Sequence, residues 1–215
     1  MRHRTVEPTS FAGRRILFVM AAKPEYGAQL RKRFVPLMTG VGPVESAISL
    51  TVNLHALGTA DKLPDLVVSI GSAGSRVLDR SEIYQVSDVS YRDMDATALG
   101  FEKGVTPFLE LPATVDLPFV IPGMPRASLS TGANVVSGFA YDGILAQMVD
   151  METYSVVRVA HAFGISVIGL RGISDGHADV TEMSHWTDSL AELDKKLAEA
   201  VDMLGAAIEG EAIPL

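Results

Sequence analysis

Four short segments of this 215-residue chain hold side chains that could do acid–base chemistry on a small molecule. They are Lys23-Pro24-Glu25, Gly71-Ser72-Ala73-Gly74, Asp150-Met151-Glu152 and Gly172-Ile173-Ser174-Asp175. Each falls where an apolar run ends or a helix opens. A helix over Thr153–Phe163 covers about 17 Å, and the seven residues that return after it, Ser166–Gly172, cover about 23 Å at about 3.3 Å each. Glu152, at the helix start, and Asp175, past the strand end, therefore come back to one sheet edge. Open α/β sheets bind ligands at that carboxyl edge. Carboxylates gathered there can divide the work of acid and base if their surroundings push them apart.

Each piece also has a plainer reading. Gly71–Gly74 could be a tight turn and nothing more. Gly40-Val41-Gly42-Pro43-Val44-Glu45 matches part of a dinucleotide fingerprint, but it lacks the third glycine and a downstream ribose-binding acid. His177, Asp179 and His185 have no compact metal-ligand spacing. Ser72 and Ser174 lack the Gly-x-Ser-x-Gly elbow of serine hydrolases. No cofactor and no metal are expected. Residue types and spacing alone reach a carboxylate-rich small-molecule site.

The elements that must position these residues read as alternating strands and helices. Strands are expected at Ile16–Ala21, Val35–Met38, Leu66–Ile70, Gln85–Tyr91, Phe119–Ile121, Ala127–Ser130 and Ser166–Leu170. Val44–Leu57 is apolar almost all round and reads as a buried helix. A last helix runs from Trp186 to Ile208 on a stripe of Trp186, Leu190, Leu193, Leu197, Val201, Leu204 and Ile208, with Asp194, Lys195, Lys196 and Glu199 on its solvated face. The pattern implies a mixed or largely parallel sheet covered by helices. Asp88–Pro118 lacks periodicity and reads as an excursion over a site or a subunit interface. Residues 1–14 are expected to form a flexible tail, and 15–215 a single domain.

The net charge is 18 − 26 = −8. So acidic a chain is poorly suited to phosphate backbones or anionic membranes, which points to small-molecule partners. The absence of cysteine removes disulfides, thiolate metal sites and thiol nucleophiles, and a cytoplasmic location is expected. The basic residues before Ile16–Ala22 hint at a signal peptide, but the apolar run is short and Glu7 and Pro8 interrupt the basic segment. No run approaches the length of a membrane span.

Taken in order, Thr39-Gly40-Val41-Gly42-Pro43-Val44, Ser69–Gly74, Tyr91–Gly100, Val149-Asp150-Met151-Glu152 and Arg171-Gly172-Ile173-Ser174-Asp175 resemble the nucleoside phosphorylase family. Within it the closest likeness is to methylthioadenosine/S-adenosylhomocysteine nucleosidases. The resemblance runs from about Arg15 to Leu204 and implies a three-layer α/β/α sandwich around a mixed, largely parallel central sheet. It also implies a homodimer, in which part of Asp88–Pro118, including Leu99, caps the neighbour's pocket. Asp175, beside Ser174, matches the acid that protonates the purine. Glu152 matches the carboxylate on the ribose hydroxyls, with Met151 beside the sugar. Glu25 matches the base that activates water, held by Ser72 and Arg171. Val135 and Val136 match the pair that receives the adenine edge.

The chemistry requires these types. Breaking an N-glycosidic bond builds positive charge on the sugar, which carboxylates stabilise, and adenine needs a proton to leave. Phosphorolysis is the near rival, and a non-catalytic nucleoside-binding protein on the same scaffold is another. The family's phosphorylases hold phosphate with an arginine where this chain has Ser69, and Glu25 at the nucleophile side would repel phosphate. The first loop, Lys23-Pro24-Glu25, has one acid where nucleosidases usually carry several, and two further positions depart from the pattern. Val135 replaces an aromatic that stacks on adenine, and Tyr154 replaces a small residue.

Overall fold

A computed structural model describes residues 5–176, 187 and 189–215. Nine strands form one mixed sheet, numbered β1 Thr9–Phe11, β2 Arg14–Met20, β3 Leu37–Met38, β4 Leu66–Gly74, β5 Ile83–Tyr91, β6 Thr114–Asp116, β7 Arg126–Thr131, β8 Met148–Asp150 and β9 Ser166–Asp175. Among the described residues the α-helices include α1 Pro43–Thr59, α2 Thr153–Ala162 and α3 Leu190–Glu209. β2, β4 and β9 run parallel in the centre. β9 also pairs antiparallel with β5, and β5–β7–β8 lead back to β4, so five strands close a ring.

Alternation along the central strands builds two cores. Ile16, Phe18 and Met20 of β2 join Ile70, Ile168, Leu170 and the α3 residues Leu197, Val201 and Leu204. Leu17 and Val19 face the other way, into Leu50, Leu54 and Leu57 of α1 and Val156 and Val157 of α2. Helices on both faces are why these strands read as unbroken apolar runs. The layering is the expected α/β/α sandwich.

Several expectations are corrected. Part of the segment read as a tail is β1, paired with β2, and its Phe11 lies edge-on to Phe18 at 5.6 Å. Phe119–Ile121 is not a strand; the Gln85 side chain donates to the Phe119 carbonyl and accepts from the Ile121 N–H, taking the place of a ladder. Gly71–Gly74 is not a turn, and Gly172–Asp175 does not follow its strand but belongs to it, because β4 and β9 continue through these segments, paired Gly71 to Arg171 and Gly74 to Asp175. α1 is buried on only one face. Ser46, Ser49, Asn53 and the leucines turn inward, while Val44, Ile48 and Val52 remain 65%, 48% and 43% exposed. Trp186, His177, Asp179 and His185 lie outside the described residues.

Asp194 is the sharpest correction. It is buried, and its carboxylate accepts from the backbone N–H groups of Gln29 and Leu30 at 2.8 and 3.0 Å. Gly27 passes so close that any side chain there would strike the Asp194 carboxylate. The helix thereby fixes the loop that leaves Glu25. Hydrogen bonds to a charged acceptor contribute about 1.5–3 kcal/mol, and orphaned buried donors cost more. Asp194→Ala should therefore lose about 3 kcal/mol of stability in urea titrations, with Asp194→Asn losing less. A loss under about 0.5 kcal/mol, typical of surface positions, would restore the solvated-face reading.

Candidate active site

β2 ends at Met20, and a 3-10 turn over Lys23–Glu25 delivers Glu25 into the protein, where it is only 8% exposed. Its Oε1 accepts from both the backbone N–H and the hydroxyl of Ser72, at 2.8 and 2.6 Å. Gly71 allows this approach, since a methyl there would sit 3.2 Å from Glu25 Oε1. Asp175 ends β9, and its Oδ1 accepts from the Ser174 hydroxyl.

Glu152 stands immediately before α2 and accepts from the Gly42 N–H at 2.8 Å. Gly42 has φ 98°, a conformation that favours glycine, and it opens α1 with Pro43. The partial dinucleotide fingerprint thus presents its N–H to a carboxylate. Burial, with the Asp150 charge beside it, pushes the Glu152 carboxyl up to about 7, against the pull of the Gly42 N–H and Arg171.

These side chains line a cavity of about 500 Å³ with Ser72, Val135, Val136, Met151, Asp150 and Arg92. That is the usual size for a small-molecule site. Beside it lies a recess of about 10 Å³ shared by Glu25, Ser72, Glu152 and Arg171. Such a volume holds about one water.

Arg171 makes its hydrogen bonds away from Glu25: it is buried and paired with Asp150 at 3.0 Å, and also donates to the Ser69 carbonyl, the Ser69 hydroxyl and Thr153 Oγ1. The nearby carboxylate of Asp150 outcompetes the more distant Glu25. Leu99, expected at a neighbour's pocket, does not line its own chain's cavity; it sits on a 3-10 turn over Thr97–Leu99 and is 75% exposed. Tyr154, the other departure, is absorbed into the core, stacked on Tyr91 at 5.1 Å.

Asp150 and Arg92 were not singled out by the sequence. Asp150 accepts from Thr131, from the N–H and hydroxyl of Thr153, and from Arg171. Arg92 donates to the carbonyls of Ser130, Asp150 and Asn134, tying three segments of the cavity wall together. Asp150 was visible in the Asp-Met-Glu triplet and Arg92 in the Tyr91–Gly100 stretch of the resemblance, though neither carried a role there. Among the described residues no cluster of metal-ligating side chains occurs.

Known proteins resemble this chain in sequence and fold. A model of the phosphorylase superfamily matches residues 120–209. The 5′-methylthioadenosine/S-adenosylhomocysteine nucleosidase of Actinobacillus succinogenes is 31% identical over 164 residues, covering 67% of this chain and 68% of that protein. The Haemophilus influenzae nucleosidase of the same name is also 31% identical, over 67% and 69% of the two chains. The chain belongs to the methylthioadenosine/S-adenosylhomocysteine nucleosidase family. Its fold agrees with solved members: the Helicobacter pylori nucleosidase with butyl-thio-DADMe-Immucillin-A has TM-score 0.71 at 21% identity, over 87% of this chain and 97% of that one. Futalosine hydrolase of Helicobacter pylori has TM-score 0.69 at 20% identity, over 91% and 97%. Nucleosidases of this family and that hydrolase therefore share one scaffold.

The raised Glu152 carboxyl has a measurable consequence. In the unfolded chain it ionises near pH 4.5, but in the folded protein only near 7. Between those values the folded state holds the extra proton, so this group's contribution makes stability fall as pH rises. Glu152→Gln removes that fall. The variant should gain on the native protein by up to about 3 kcal/mol from pH 4.5 to about 7.5, and then level off. Urea titrations of both proteins measure the difference; a constant offset across the range would mean Glu152 is ionised throughout.

Proposed function

We propose that this protein hydrolyses the N-glycosidic bond of 5′-methylthioadenosine or S-adenosylhomocysteine, releasing adenine. The observation that carries this reading is Glu25 on Ser72. An incoming phosphate would need donors such as the Ser72 N–H and O–H, but the chain's own carboxylate already takes both. The recess beside it matches one water in size. Ser69 supplies no positive charge and serves Arg171 instead.

In this mechanism Glu25 takes a proton from water as its oxygen bonds to C1′. The C1′–N9 bond breaks, and its electron pair passes into the purine, which accepts a proton from Asp175 at N7. Glu152 accepts from the ribose hydroxyls and, once ionised, stabilises the cationic sugar. Met151 packs beside the sugar. Val135 and Val136 present backbone to the purine edge, and without an aromatic at Val135 stacking on adenine is weaker by about 1–3 kcal/mol. Arg171 acts on Glu152 through the buried Asp150 pair.

We further propose a homodimer. Val44, Ile48 and Val52 form an apolar stripe along the outer face of α1, a kind of patch that marks interfaces. In that assembly the exposed Leu99 turn covers the neighbour's cavity, where the 5′ substituent lies. No described helix is long and apolar enough to cross a membrane. The cysteine-free composition suits the cytoplasm, and the proposed substrates suit methionine salvage.

The reaction is tested by adenine release from a nucleoside panel, futalosine included, in phosphate-free buffer. Activity without phosphate is expected; release only after phosphate is added would replace hydrolysis by phosphorolysis, and binding without release would mean a nucleoside-binding protein. Asp175→Asn should slow turnover by about 10²–10⁴-fold with little change in binding. Glu25→Gln should behave alike, whereas Glu152→Gln should worsen KM as well as kcat. For assembly, Ile48→Glu should shift the protein from dimer to monomer in sedimentation and reduce activity. A native protein that is monomeric and fully active at assay concentration would overturn the dimer.

A further inference from the structure

Tyr141 has no role in the reaction described above, yet its hydroxyl lies beside the acid. It sits in a 3-10 segment over Gly138–Gly143, only 7% exposed, and its ring packs with Val136 and Val149. Arg76 holds this segment down: its guanidinium lies 5.4 Å from the Tyr141 ring and donates to Asp142 at 2.6 Å and to the Gly138 carbonyl. The hydroxyl is fully buried and, among the described residues, has no hydrogen-bond partner. A buried donor left unsatisfied is costly, so its persistence calls for an explanation.

Gly74 shows where the hydroxyl points. A methyl group on Gly74 would collide with the Tyr141 oxygen and lie 3.0 Å from Asp175 Oδ2. The missing side chain brings phenol and carboxyl oxygens to one spot. Asp175 Oδ1 is engaged by the Ser174 hydroxyl, which leaves Oδ2 as the oxygen on the tyrosine side. Because Tyr141 is buried and is not among the residues that line the cavity, its action goes through Asp175.

We propose that Tyr141 is a positioning residue whose hydroxyl donates to Asp175 Oδ2 as the acid gives up its proton to the purine. This rests on the nucleosidase reading. When the proton leaves, Asp175 becomes a carboxylate, and a second hydroxyl donor joins Ser174 in stabilising it. No bond to Tyr141 is made or broken. Burial and the Asp175 charge push the phenol well above its ordinary range, against the pull of Arg92 and Arg76, so it stays a protonated donor. The other charged groups nearby are Asp142, paired with Arg76, and Glu25 and Glu152 on the cavity wall.

The test compares the native protein with Tyr141→Phe on two substrates: methylthioadenosine, and a 5′-methylthioriboside whose 4-nitrophenolate leaves without needing a proton. Expected for Tyr141→Phe is a kcat on the nucleoside about ten- to hundredfold lower, KM nearly unchanged, and an unaltered rate on the nitrophenyl riboside. Its melting temperature should be equal or higher, since the change removes an unsatisfied buried hydroxyl. Equal losses on both substrates, or a lowered melting temperature, would mean that the tyrosine merely packs, and an unchanged kcat would remove it from the reaction. A native protein that cleaves neither substrate overturns the nucleosidase reading and this proposal with it, whereas native activity with no differential effect overturns this proposal alone.

Discussion

The guanidinium of Arg171, buried to within 4% of full enclosure, joins β9 to β4 and to the start of α2. Its partner, Asp150, ends β8 and caps α2 through the Thr153 N–H. Removing one member of such a pair would leave an uncompensated buried charge, which is far costlier than the pair is stabilising. The pair therefore fixes where the strand ends stand relative to the helix. Those strand ends carry Asp175 and Ser72, and the helix start carries Glu152, so one ion pair sets the separation of the proposed reacting groups.

That arrangement also sets the electrostatics. The Asp150 carboxylate, two residues from Glu152, adds to burial in making Glu152 hold its proton until something compensates. Hydroxyls that donate to the carboxylate favour its charged form, as a hydrogen bond to the ionised state does generally. Ribose binding and ionisation of Glu152 are thereby coupled under the proposed mechanism. Glu25 is treated differently, with two donors from Ser72 on the same oxygen. The two glutamates face one recess from unlike surroundings, the condition for giving carboxylates different tasks.

Glycine decides how closely the groups approach. Gly71 admits Glu25, Gly74 admits Tyr141 and Asp175, and Gly42 turns its N–H to Glu152. Gly71 and Gly74 are not explained by a turn in the chain. Two of the three lie inside β4, where a glycine signals close approach.

The sequence by itself determined the layered α/β architecture, because two-sided burial writes an apolar run into each central strand and helical spacing into α2 and α3. It also marked Glu25, Glu152 and Asp175, since their places at strand ends and a helix start follow from local order. Tertiary structure alone decided who partners whom. Arg171 went to Asp150 because charge pairing in a buried site depends on distances set by strands far apart in sequence. Asp194, off the apolar stripe of α3, turned inward because the loop after Glu25 offered it two backbone donors. Tyr141 could not be picked out at all: its segment has no periodicity, and its meaning comes from Gly74 and Asp175, more than thirty residues away on either side. One-dimensional pattern records which face a residue takes, while the partners across that face are fixed only when the chain closes on itself.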